Sequence, residues 1–409
     1  MMNDTICVNN CCRAVMALAI ACFAACSDGG QSGGSAGGPN DGPIGVSGER
    51  GLISASVHTC AITKSNGLKC WGNNAAGQVG SGSNNQYEEF VDRATDVVGL
   101  GSGVSEVSVG IFHSCALTSK GAVMCWGDDS GNGALGNGVM GGSVDEPALV
   151  LDLDSGVERI STGGAHVCAL MSWGRIQCWG YNKHGQLGDR STTDKARPVP
   201  VDDVDEKFAD VASGGGHSCA KTSTGGAKCW GMNDFGQLGD GTHKGRTEPT
   251  WVVGLESGVR SIYAGDYHTC AIMSTGGVMC WGRGLGGRLG LGDNDDRDVP
   301  TPVQGLESGV ASLSLGFSHT CAVTESGGAM CWGRNEEGQI GNGKTDDCER
   351  PTKVVGLDSG VRAITAGVKH SCALTAAGDV LCWGDHGLAG QLGNGESGSS
   401  AVPARVVGF

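Results

Sequence analysis

Between residues 208 and 253 short runs of alternating apolar and polar residues are separated by gaps rich in glycine. Phe208–Ser213, His217–Thr222, Ala227–Trp230 and Pro249–Val253 are the four runs. Their brevity, the alternation and the Gly/Ser/Thr punctuation predict β-strands, because a helix would repeat its apolar face every three to four residues. The second and third runs form a hairpin with the pattern H-x-C-x9-C-W-G. That pattern starts at His58, His113, His166, His217, His268, His319 and His370. Successive first cysteines are 55, 53, 51, 51, 51 and 51 residues apart. Seven units of 51 residues make 357, and Leu52–Phe409 spans 358, so one repeat array fills the chain after its N-terminal segment.

Connection lengths suggest how the runs group. The fourth run meets the next first run through a link of five residues, Gly254–Gly258 (GLESG), which is hairpin length. The third run reaches the fourth only through a long stretch, Gly231–Glu248. On this reading the short link stays within a sheet and the long stretch crosses between sheets. Each sheet would then borrow its first strand from the preceding repeat, and Pro403–Phe409 would complete the first sheet. The expectation is an all-β seven-bladed β-propeller of four-stranded blades over 50–409, its ring closed by the C-terminal strand. An open solenoid is the alternative.

The stretches WGYNKHGQLG (Trp179–Gly188), WGMNDFGQLGDG (Trp230–Gly241) and VVGLESGVRSIYAGDYHTCAI (Val252–Ile272) resemble the regulator of chromosome condensation repeat family. The resemblance covers all seven repeats. Repeats two and five depart from the G-Q-L-G element, with GALG at Gly133–Gly136 and GRLG at Gly287–Gly290. It implies a seven-bladed propeller. It does not select a function, since the family includes a nuclear guanine-nucleotide exchange factor, ubiquitin-ligase modules, a light receptor and a secreted bacterial inhibitor of β-lactamase.

The N-terminus favours the secreted kind. Residues 1–25 carry only Asp4 and Arg13 as charges and hold a twelve-residue apolar run, Ala14–Ala25. That run has the length of a signal-peptide core and is too short to span a bilayer. Phe23-Ala24-Ala25-Cys26 resembles a lipobox, with Cys26 as the lipidated residue. Residues 26–49 then read as a flexible Gly/Ser-rich tether. The expected location is the bacterial cell envelope, lipid-anchored at the outer membrane or cell surface, with secretion as the alternative. The net charge of −15 speaks against nucleic acid, whose phosphates need Lys and Arg.

Twenty cysteines sharpen the compartment. Five lie in the first 26 residues. Fourteen are the repeat pairs Cys60 and Cys70, Cys115 and Cys125, Cys168 and Cys178, Cys219 and Cys229, Cys270 and Cys280, Cys321 and Cys331, and Cys372 and Cys382. Cys348 is left over as a free thiol. Within each hairpin the two cysteines stand equal distances from the tip, opposite one another on antiparallel strands. That geometry suits a disulfide in an oxidising compartment. The rival, a His/Cys/Cys zinc site, would have to recur seven times there, so no metal is expected. The histidines are then structural, and the tryptophans that follow each second cysteine pack between blades.

Catalysis finds little support: H-E-x-x-H is missing from the sequence, and no cofactor is expected. The acidic stretch Asp293–Asp298 fails the EF-hand spacing because Arg297 takes a ligand position. What remains is surface. The repeats differ most in their long stretches, where binding on a rigid scaffold usually sits, and Tyr87, Phe90 and Trp251 are candidate aromatic anchors there. The expected function is a non-catalytic, monomeric, tethered propeller that binds a protein or other macromolecule. A secreted enzyme inhibitor and an exchange-factor-like protein are the alternatives.

Overall fold

The computed structural model describes residues 53–82, 89–203, 205–387 and 389–409. Seven antiparallel four-stranded sheets form a seven-bladed propeller. In blade 4 the strands are Phe208–Ser213, His217–Thr222, Ala227–Gly231 and Arg246–Trp251, paired in that order. First strands of successive blades neighbour one another around the axis, so they are the innermost. The outermost strand is half-exposed and carries a proline in blades 2 to 7, such as Pro249, which a strand edge accepts because no ladder bond is lost.

The expected strand exchange does not occur. Ser400–Arg405 pairs with Val380–Gly384 in the last blade, with Cys382 opposite Ala404. Each sheet is therefore built from one repeat, and the first sheet begins at Ile53 and ends at Asp96. Length misled because the long stretch is not an idle crossover. It leaves the third strand, docks on the next blade, and returns as the fourth strand of its own sheet. Gly241 N donates to Asp298 O of blade 5 at 3.0 Å, and Gly395 N donates to Asp92 O of blade 1 at 3.1 Å. The same device thus closes the ring between blades 7 and 1. The short link runs under its own hairpin tip toward the axis, where Leu68 N meets Leu100 O at 2.9 Å. The C-terminal residues add to the closure, with Ala94 N donating to Val407 O at 3.0 Å and Phe409 edge-on to Trp71 at 6.2 Å.

The core lies in the seams between blades. Cys219, Cys229 and Leu238 of blade 4 pack with Val259, Ile262 and Trp281 of blade 5. A disulfide therefore faces the next blade and the adjacent tryptophan faces the previous one, as alternation along a strand requires. All seven repeat tryptophans are fully buried. The glycine after each tryptophan is dictated by geometry. Gly231 has φ of 103°, and a Cβ there would stand 2.7 Å from the Cα of His217.

Candidate interaction face

The seams are rigid polar networks. His217 Nε2 meets Thr269 Oγ1 of the next blade at 2.9 Å, and Thr269 Oγ1 donates to the carbonyl of Gln237 at 2.8 Å. Trp281 Nε1 donates to the same carbonyl at 3.0 Å. The hydroxyl proton is committed to the carbonyl, so the imidazole donates through Nε2 and is neutral. Burial pushes the His217 pKa down to about 3, and His58, His166 and His319 likewise. The histidines thus reach hydroxyls of the next blade, and only through them the long stretch of their own blade. They also lack the exposure and basicity of a general base.

Disulfides join Cys60 to Cys70, Cys115 to Cys125, Cys168 to Cys178, Cys219 to Cys229, Cys270 to Cys280, Cys321 to Cys331 and Cys372 to Cys382, with Cα separations of 4.0–4.1 Å. The sulfurs a zinc ion would need are bonded to each other. Cys348 is free and half-buried at the start of the outer strand of blade 6. Its register position holds Arg246 in blade 4, where Asp240 pairs with that guanidinium at 2.7 Å. In blade 6 Asn342 replaces the aspartate and its Nδ2 lies 3.4 Å from the thiol sulfur.

The turns between first and second strands and the long stretches between third and fourth strands emerge at the same end of the sheets. They make one loop face. In blades 3, 4 and 6 the long stretch is held by a buried asparagine, Asn182, Asn233 and Asn335. Asn233 Nδ2 donates to the carbonyls of Thr242 and Lys244 at 2.8 and 3.1 Å, while its Oδ1 accepts from Leu238 N at 2.9 Å. Blade 5 lacks this brace, having Gly284 at that position and a short 3-10 turn at Leu285–Gly287. It also puts Arg288 where five of the other blades have glutamine and blade 2 has Ala134. Arg288 is buried and donates to the carbonyls of Leu285 and Phe317 at 2.8 and 2.7 Å.

The rebuilt loop presents Arg283 to an aromatic cluster drawn from three blades. The guanidinium sits 4.6 Å from the ring centre of Phe235 and 5.4 Å from that of Tyr267. Phe235 is edge-on to Tyr267 at 5.5 Å, and Tyr267 to Phe317 at 5.7 Å. All four side chains are half-buried, and Leu285 beside them is half-exposed. Arg283 takes part in no ion pair among the described residues, so its charge faces outward on a stacked, oriented plane. Below it, burial drives the Asp266 carboxyl well above the usual range, against the pull of Arg288.

The aromatic residues singled out in the sequence do not converge. Phe90 begins the outer strand of blade 1 at the loop face and is exposed. Trp251 ends the outer strand of blade 4 at the opposite face, so the loops do not carry it. Tyr87 and Cys26 lie outside the described residues. The acidic stretch is tied up internally, with Asp293 paired to Arg297 at 2.7 Å and Asp296 accepting from Gly284 N at 2.7 Å. The cluster at Phe235, Tyr267, Arg283 and Phe317 was missed, and its one sequence signal was the GRLG departure in repeat five.

A sequence profile of the RCC1-like domain matches residues 45–359, and one of the regulator of chromosome condensation (RCC1) repeat matches 361–391. The chain belongs to the RCC1-like domain family. It is 32% identical over 350 residues to the E3 ubiquitin-protein ligase HERC2 of Homo sapiens, covering 83% of this chain and only 7% of the ligase. It is 32% identical over 308 residues to the ultraviolet-B receptor UVR8 of Arabidopsis thaliana, covering 73% of this chain and 69% of the receptor. Among solved structures, yeast RCC1 (Prp20) bound to Kap60 superposes with a TM-score of 0.70 at 22% identity, covering 83% of each chain. Human WBSCR16 superposes with a TM-score of 0.69 at 23% identity, covering 80% of this chain and 87% of that one. These RCC1-like superpositions share the fold alone with this chain.

Proposed function

We propose that this chain is a non-catalytic RCC1-like propeller that binds another protein through its loop face, centred on Phe235, Tyr267, Arg283 and Phe317. The observation that carries the reading is the unpaired guanidinium stacked among aromatic rings on a rigid scaffold. Aromatic residues and arginine dominate binding energy at protein interfaces, most strongly where they are pre-ordered. Solved relatives include yeast RCC1 bound to Kap60 and Prp20p studied with Gsp1p and histones. Protein binding is therefore a use to which this fold is put.

The propeller is held at a bacterial cell envelope by a lipidated Cys26 and the tether 26–49. The apolar run Ala14–Ala25 and the small residues before Cys26 support this. Cys26→Ala should release the protein from the membrane fraction, and unchanged fractionation would remove the anchor. To test binding, the intact protein and a Phe235→Ala/Tyr267→Ala variant are used to capture partners from envelope extracts. A species held by the first and lost by the second supports the loop face. An identical set from both rules it out.

A further inference from the structure

Nine tryptophans are present, and seven are the buried repeat residues. The other two, Trp173 and Trp251, are 55% and 40% exposed, and both lie on the face opposite the loops. Trp173 is at the hairpin tip of blade 3, between His166–Met171 and Ile176–Gly180, and its ring lies over Gly156. Trp251 ends the outer strand of blade 4, opposite Lys228. The two flank the link from blade 3 to blade 4. After blades 4, 5 and 6 the link reads GLESG or GLDSG, but here it carries Asp202, Asp203, Asp205 and Glu206.

One cation from each blade fixes this acidic link between the indoles. Arg175 Nη1 donates to the carbonyls of Asp203 and Glu206 at 2.7 and 2.9 Å. Lys228 Nζ pairs with the Asp203 carboxylate at 2.6 Å and lies 4.6 Å from the ring centre of Trp251. Asp205 stays exposed, as do Asp154 and Glu158 on either side of the glycine under Trp173. The patch therefore offers two indole faces bordered by carboxylates, on a molecule of net charge −15.

We infer that this patch is a second interaction surface, independent of the loop face, that takes an extended basic segment of a partner protein. Lysine or arginine side chains would stack on Trp173 and Trp251, as cations prefer indole to other rings, and pair with Asp154, Glu158 and Asp205. Lys228 over Trp251 already shows that arrangement within the chain.

The test uses fluorescence anisotropy of a fluorescein-labelled oligo-arginine peptide with the intact protein. Trp173→Ala/Trp251→Ala should weaken binding by about tenfold or more at unchanged net charge. Asp205→Asn, at an exposed site that no folded contact needs, should also weaken it and flatten its salt dependence. No binding, or equal binding by the tryptophan variant, overturns the inference, because net charge alone would then draw the peptide. Phosphatidylcholine vesicles are run in parallel. Vesicle binding lost in the tryptophan variant while peptide binding persists would assign the patch to a lipid surface and also overturn it.

Discussion

Val167 stands where the other six blades place a serine or threonine hydroxyl, and the Nε2 atom of His113, which would meet that hydroxyl, is buried without a hydrogen bond. Elsewhere the contact is made around the ring, from His58 with Ser114 at 2.6 Å to His370 with Thr59 at 2.8 Å. The seam between blades 2 and 3 is the one gap in this network.

Filling the gap should stabilise the ring. Val167→Thr supplies the missing acceptor and a donor for the carbonyl of Ala134, for a gain of about 1 kcal/mol. Thr269→Val, which removes a made contact and strands His217, should cost about 1–3 kcal/mol. Denaturant unfolding of the two variants measures both. Equal stability of Thr269→Val and the parent would show that the hydroxyl network is incidental.

Acid should unfold the protein through these imidazoles. Burial lowers every repeat histidine, to about 4 for His113 and His370, about 3 for His58, His166, His217 and His319, and well below 6.5 for His268. Below pH 6.5 the unfolded chain binds protons that the folded chain does not. Stability is therefore complete above 6.5 and falls with pH down to the folded values, by up to about 1.4 kcal/mol per pH unit for each imidazole. Asp128 and Asp266, both raised by burial, act in the opposite sense, two carboxyls against the seven repeat imidazoles. Denaturation midpoints taken from pH 8 downward should hold steady and then drop below 6.5. A midpoint that does not move across that range would contradict neutral buried histidines.

Without reductant, alkylation should label Cys348 and none of the fourteen repeat cysteines, all of which are buried and bridged. Intact mass after denaturation in iodoacetamide gives the count. Reductant should lower the melting temperature sharply, since each bridge closes a loop worth roughly 2–3 kcal/mol on the loop-entropy account. Labelled repeat cysteines before reduction would mean the staples are not formed.

What the sequence discloses here follows from distance along the chain. The hairpin around Cys219 and Cys229, its disulfide and the turn of Trp230 to the opposite side of the sheet are local and were legible. The placement of the outer strand was not, because the stretch from Gly231 to Gly245 folds as a wedge on the next blade and its length imitates a crossover. The role of Asn233 was hidden for the same reason, since its partners are carbonyls with no sequence signature. Phe235, Tyr267, Arg283 and Phe317 come from three blades and meet only once the ring exists. Trp173 passed unnoticed because a single aromatic residue at a hairpin tip breaks no periodicity.

The most direct test of the loop face is a photo-crosslinking amino acid placed at Leu285, which is 51% exposed beside the cluster, and at Val355, which is 51% exposed on the link beyond the outer strand of blade 6. Both sites tolerate replacement because neither side chain is buried. Irradiation in envelope extracts should yield a defined adduct from position 285 that is lost when Arg283→Ala is added, and none from position 355. The same adduct from both positions, or one from 285 that survives Arg283→Ala, would contradict recognition centred on that guanidinium and its aromatic frame.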